Sequence, residues 1–217
     1  HLGAPKAFKI LAYGDNLGFS IFGKTILNEE KVKNISQNFP SIYQLLPSRN
    51  YFDNTNQNYK SYIVDIYDYD SNGIKNNLDY DQSIEFMKNT GRNNYLLEFN
   101  DGLHNNIDEY FPELDGIKTY NIVGCSKPTI GKIYILNKEK SGGYEYGLQY
   151  INGDGTVPLR SAEYLDADKK YYTNNVEHAY LPSAEGVKQL IVSILSNNEE
   201  NFDLDNSSTV VFDDRCY

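Results

Sequence analysis

Apolar residues in "AEGVKQLIVSILS" recur at three- and four-residue spacing, through Val187, Leu190, Ile191, Ile194 and Leu195. That rhythm predicts an amphipathic helix, with Ser183 just ahead as its N-cap. "DYDQSIEFMKNTG" has an acidic start, apolar Ile84 and Met87 and a stop at Gly91, so a helix is expected there too. Another is expected within "NNYLLEFNDGLHNNIDEYF". "KAFKILAYGDN" is a short apolar stretch halted at Gly14, and "NFPSIYQLLPSRNYF", with Pro40 and Pro47, reads as a packed loop or short helix. Elsewhere the period shortens. "KSYIVDIYDYDSNG" alternates and is rich in β-branched and aromatic residues, which predicts a strand running into a turn at Asn72-Gly73. "GIKTYNIVG" is a compact buried-strand candidate, and "KIYILNKEKSGGYEYGLQYI" reads as two strands joined by a Gly-Gly turn. The acidic stretch from about 199 to 217 reads as a loosely held tail.

With 217 residues the chain can bury a real core, so one domain, or one with an insertion, is expected. A formal charge of −10 and a pI near 4.8 argue against a nucleic-acid partner and against docking on anionic lipid by charge. No apolar run approaches the roughly 18–20 residues needed to span a bilayer. Cys125 and Cys216 make no disulfide framework; one bridge is open to them, but spacing does not decide it.

"INGDGTVPLRSAEYL", residues 151–165, places Asp154 between two glycines at the end of an apolar run. The simplest reading is a tight turn. The chemical reading is a carboxylate standing on a strand end, with His178 following just ahead of the last helix. In α/β-hydrolases the triad runs in chain order Ser, acid, His, and the acid fixes the imidazole tautomer and stabilises the imidazolium.

The residues that carry a family resemblance are "LGAP" at 2–5, "GDN" at 14–16, "PSIYQLLP" at 40–47, "YNIVGCSKPT" at 120–129, "NGDGTVPLRSA" at 152–162 and "EHAYLPSAEGVKQLIVSIL" at 177–195. Together they resemble the lecithin:cholesterol acyltransferase family, which includes lysosomal phospholipase/acyltransferases. The resemblance implies an α/β fold. The chain would be the C-terminal half of an α/β-hydrolase, with residues 1–13 and 115–217 in the core and 14–114 as an inserted cap. It also implies Asp154 as triad acid and His178 as general base, a phospholipid or other lipid ester as substrate, and no cofactor. An extracellular, vacuolar/lysosomal or other endomembrane compartment would follow from the same resemblance. Animal members carry a disulfide at positions that here hold Asn121 and Leu165, so that bridge is missing.

The family's Gly-x-Ser-x-Gly elbow and oxyanion-hole loop would precede His1. They would come from an upstream segment or from a separate chain holding the N-terminal half of the enzyme, leaving this chain inactive alone. Inside the chain, Ser126 satisfies the triad order. However, Pro128 replaces the second elbow glycine, and "TIGKIYIL" reads as a strand where a helix is required. Cys125, on an apolar strand end, reads as packing. One alternative is a non-catalytic lipid-binding or scaffolding remnant of the same fold. Another is a calcium-binding module. Asp68, Asp70, Asn72, Gly73 and Asp79 fall at positions 1, 3, 5, 6 and 12 of an EF-hand loop, but Lys75 and the closing Asp depart from that pattern. His104, in "DGLHNNID", reads as a surface residue of a cap helix.

Overall fold

The computed structural model describes residues 2–16, 20–21, 24–25, 27–53, 61–65, 76–108, 116–136, 139, 142–143, 145–198, 202, 209–211 and 216. Its helices are α1 (Pro5–Tyr13), α2 (Glu29–Ser36), α3 (Pro40–Gln44), α4 (Arg49–Asp53), α5 (Tyr80–Asn89), α6 (Asn94–Ile107), α7 (Leu159–Ala162) and α8 (Glu185–Leu195). Its strands are β1 (Ser20–Ile21), β2 (Lys24–Thr25), β3 (Ile63–Asp65), β4 (Asn76–Asn77), β5 (Tyr120–Cys125), β6 (Lys127–Ile135), β7 (Tyr146–Gly153), β8 (Lys169–Asn174) and β9 (Val210–Val211). β1 and β2 form an antiparallel pair. A four-stranded sheet runs β4-β3-β6-β7 and a three-stranded one β5-β8-β9. Mixed helices and sheets make this an α/β protein.

The chain divides into two compact units, residues 2–109 with 130–149, and residues 110–129 with 150–217. α1 packs Phe8 and Leu11 into the same cluster as Tyr43, Tyr62, Met87 and Ile133. The backbone agrees, because Ala4 N–H donates to the Leu45 carbonyl and Ser48 N–H to that of Leu2. Apolar burial drives this packing, since each large side chain removed from water contributes about 1.5–3 kcal/mol.

Within this larger unit, α6 fastens α3. The last carbonyls of a short helix have no partner of their own. Asn100, fully buried, donates to the carbonyls of Tyr43 (3.1 Å) and Leu46 (2.9 Å). One turn later, His104 Nε2 donates to the carbonyl of Gln44 at 3.2 Å, and Nδ1 meets Asp108 Oδ1 at 3.0 Å. His104 is therefore buried rather than on the surface: the polar groups of α3 draw it inward.

The smaller unit holds β5 and β8 as a parallel pair, in register from Tyr120↔Lys169 to Cys125↔Asn174. A brace precedes both strands. Asp168 Oδ2 accepts from Thr119 N–H (2.7 Å) and Thr119 Oγ1 (2.9 Å), while Asp168 N–H donates back to that hydroxyl oxygen. Within the stretch from about 199 to 217, read as a loosely held tail, the described residues include β9 and Cys216. β9 pairs antiparallel with β8, and Cys216 is disulfide-bonded to Cys125, 91 positions away. Ser183 is not the N-cap of α8. Ala184 holds that position, and the Ser183 hydroxyl donates to the carbonyl of Tyr180 in the preceding 3₁₀ turn, His178–Ser183.

Two stability tests follow from this unit. Cys216→Ser should lower the unfolding free energy by about 2–5 kcal/mol in denaturant titrations, and reductant should bring the parent chain to the variant's transition. The Asp168 carboxyl is held below the usual carboxylate range, first by the Thr119 backbone N–H and then by its hydroxyl. A carboxyl depressed on folding stabilises above its unfolded pKa, and the contribution is lost as pH falls through the folded value. Stability should therefore fall less steeply on acidification in Asp168→Asn than in the parent.

Candidate active site

β7 ends at Gly153, and Asp154 follows at its carboxyl end, bridged to Lys127 at the start of β6. The turn closes on itself. Asp154 Oδ1 accepts from the backbone N–H of Thr156 (2.9 Å) and of Val157 (2.7 Å), the local pairing that short acidic side chains offer in turns. The two flanking glycines have different physical reasons. Gly155 has φ of +87°, the left-handed region that favours glycine. Gly153 has no such φ, but a Cβ there would lie 2.4 Å from the Val157 carbonyl oxygen and 2.5 Å from Thr129 Oγ1.

β8 ends at Asn174, and His178 opens the 3₁₀ turn after it. His178 and Asp154 are joined twice. The His178 backbone N–H donates to the Asp154 carbonyl at 2.8 Å, and Nδ1 meets Asp154 Oδ2, also at 2.8 Å. The carboxylate side chain is 4% exposed and the imidazole 45%, so the acid is enclosed while the ring has a face to solvent. With Nδ1–H donating to the carboxylate, the ring is held in the tautomer whose Nε2 carries the lone pair. That is the arrangement of a general base oriented by an acid.

Gly124 lets the two elements meet. A Cβ built on it would sit 2.6 Å from the Asp154 Cβ and 3.2 Å from Leu181 Cδ1, so both side chains pack directly over a bare backbone. Asn121, in the position where animal relatives were expected to hold a half-cystine, donates instead to the carbonyl of Ala162 at 2.9 Å.

The other candidates fall apart from this pair or outside it. Ser126 has φ of 65°, its N–H donates to Asn152 Oδ1, and β6 begins at the next residue, so the helix of a nucleophile elbow is absent there. Cys125 is consumed in the disulfide with Cys216. Asp68, Asp70 and Asn72 lie outside the described residues. Asp79 is the N-cap of α5, accepting from Gln82 N–H while the Gln82 side chain answers to its backbone. Among the described residues, no group of three or more His, Cys, Asp or Glu is placed to hold a metal ion. Gly124 and Thr129 went unremarked in the sequence. Both lie within "YNIVGCSKPT", but nothing in a local pattern shows what a glycine or a threonine faces across a sheet.

The sequence model of the lecithin:cholesterol acyltransferase family matches residues 1–197. This chain belongs to that family. No curated protein matches it at a comparable level. The family is one of α/β-hydrolases, and membership in it supports an enzyme of the acyltransferase or phospholipase type. The strongest sequence motif of the resemblance, "NGDGTVPLRSA", is the segment that forms the Asp154 turn and α7.

Close packing at Gly124 can be tested against an open position. Gly124→Ala should destabilise by about 1–3 kcal/mol because the added methyl must displace Asp154. Gly102→Ala, on α6 with nothing within 4 Å of the new methyl, should stabilise by about 0.5–1 kcal/mol. Thermal melts of the two variants beside the parent make the comparison.

Proposed function

We propose that Asp154 and His178 are the acid and base of a Ser-His-Asp triad in a lipid O-acyltransferase or phospholipase A. The observation that supports this most directly is the 2.8 Å contact of the His178 ring with an enclosed Asp154 carboxylate. The serine and the oxyanion-hole donors come from a segment upstream of His1 or from a partner chain carrying the N-terminal half of the enzyme.

In this mechanism His178 Nε2 takes the proton of the serine hydroxyl as its oxygen attacks the ester carbonyl of a phospholipid. Asp154 stabilises the imidazolium so formed. Collapse of the tetrahedral intermediate expels the lyso-lipid alkoxide, which takes the proton from Nε2, and leaves an acyl-serine. In the second half-reaction Nε2 removes a proton from water or from a lipid hydroxyl, whose oxygen attacks the acyl-serine. The product is a fatty acid or a new ester, and the serine recovers its proton. His178 thus acts on nucleophile and acceptor in turn, with no metal or organic cofactor in any step. The Cys125–Cys216 bond favours an oxidising setting, extracellular or within the endomembrane and vacuolar system.

The 217-residue chain alone should show no ester hydrolysis above buffer with phospholipid vesicles or a short-chain ester. Co-expression with the upstream segment bearing Gly-x-Ser-x-Gly should generate activity. In that complex His178→Ala should reduce kcat by about 10³-fold or more. Robust turnover by the isolated chain would overturn the division of the triad. A folded complex inactive on every lipid ester would favour the non-catalytic remnant.

A further inference from the structure

Thr129 lies in β6 and is completely buried. Its hydroxyl donates to the carbonyl of Lys127 at 3.0 Å, which spends its single proton. A lone pair of the same oxygen then accepts the backbone N–H of Gly155 at 2.8 Å. On the other side of the acid, a Cβ on Gly153 would meet that oxygen at 2.5 Å and the Thr129 Cβ at 2.9 Å. One hydroxyl therefore touches the peptides on both sides of Asp154. It binds the following glycine and fills the space beside the preceding one.

Among the described residues, the Asp154 carboxylate is bonded to its own turn and to His178. Its place relative to the sheet is set by the backbone that carries it. β7, which leads into Asp154, lies beside β6 in the four-stranded sheet; beyond that pairing the turn itself meets β6 at the Lys127↔Asp154 bridge and, through a side chain, at the Thr129 hydroxyl. We infer that Thr129 is a positioning residue for the Asp154–His178 pair: its hydroxyl holds the Gly-Asp-Gly turn so that the carboxylate meets Nδ1. This rests on the acid–base reading above for its catalytic consequence, though not for its geometry. Thr129 reaches no reacting atom and acts through the turn alone.

Thr129→Val keeps the shape and removes the hydroxyl, whereas Thr129→Ser keeps the hydroxyl and removes a methyl. The first readout needs no activity. In the 217-residue chain labelled with ¹⁵N-histidine, the Nδ1 proton of His178 should give a downfield, slowly exchanging resonance. Thr129→Val should lose it or exchange it at least tenfold faster, and Thr129→Ser should keep it. The ring of His104, bonded to Asp108 in the other unit, is an internal reference that neither variant should disturb. If Thr129→Val does not fold, Thr129→Ala against Thr129→Ser makes the same comparison.

The second readout is kinetic, in the complex with the upstream segment. Thr129→Val should lower kcat about 10- to 100-fold with little change in KM, as expected for a small misplacement of an oriented group, and Thr129→Ser should recover most of it. An unchanged His178 ring in Thr129→Val would overturn the inference, as would a serine variant as disturbed as the valine one. If the parent complex is inactive on all esters while Thr129→Val still disturbs the ring, the proposed reaction fails and the positioning role stands.

Discussion

The two hydrogen bonds between Asp154 and His178 are the constraint around which the smaller unit is built. One joins backbone to backbone and fixes where the histidine loop passes; the other joins carboxylate to imidazole and fixes how the ring is turned. Neither residue reaches the other through its own element. Asp154 follows β7 and His178 follows β8, so the pair meets only if two strand ends are brought level. An enclosed carboxylate is costly to bury unless its acceptor sites are used. Asp154 uses Oδ1 on the N–H groups of Thr156 and Val157 and Oδ2 on His178.

The sheet around the pair is organised accordingly. Parallel pairing of β5 with β8 is locked at one end by the Thr119–Asp168 brace and at the other by the Asn175 N–H donating to the Cys125 carbonyl. Gly124 then leaves room on β5 for Asp154 and Leu181 to cross above it. Asn152 adds a polar tie, accepting from Ser126 N–H at 2.7 Å and donating to the Cys216 carbonyl. Backbone hydrogen bonds, a bare glycine and a disulfide thus converge on one strand end. Apolar burial contributes less here than in the larger unit, whose core is far more extensive.

Much of the fold was legible wherever a local cause dominates. The helix stop at Gly14 appears with φ of +78°, the Gly142-Gly143 turn between β6 and β7 has both glycines at positive φ, and the 3.6-residue rhythm of α8 places Val187 and Leu190 in the core. That Asp154 and His178 would be brought together was legible from a motif and its order. What was not legible depends on distant partners. Ser183 looked like a cap but bonds backward into its own 3₁₀ turn. His104 looked solvated until α3 supplied a carbonyl for it. The strand β8 (Lys169–Asn174) carries lysines and tyrosines with no clean alternation, and only its pairing with β5 and β9 defines it.

The bond from Cys125 to Cys216 closes a covalent ring that contains both Asp154 and His178. A protease cutting once anywhere between those cysteines would open the ring without parting the fragments. Even a nick between Asp154 and His178 would leave them on one covalently connected molecule. Such a chain would migrate as a single species on a non-reducing gel and as two after thiol treatment, so limited digestion of this protein is to be read under both conditions.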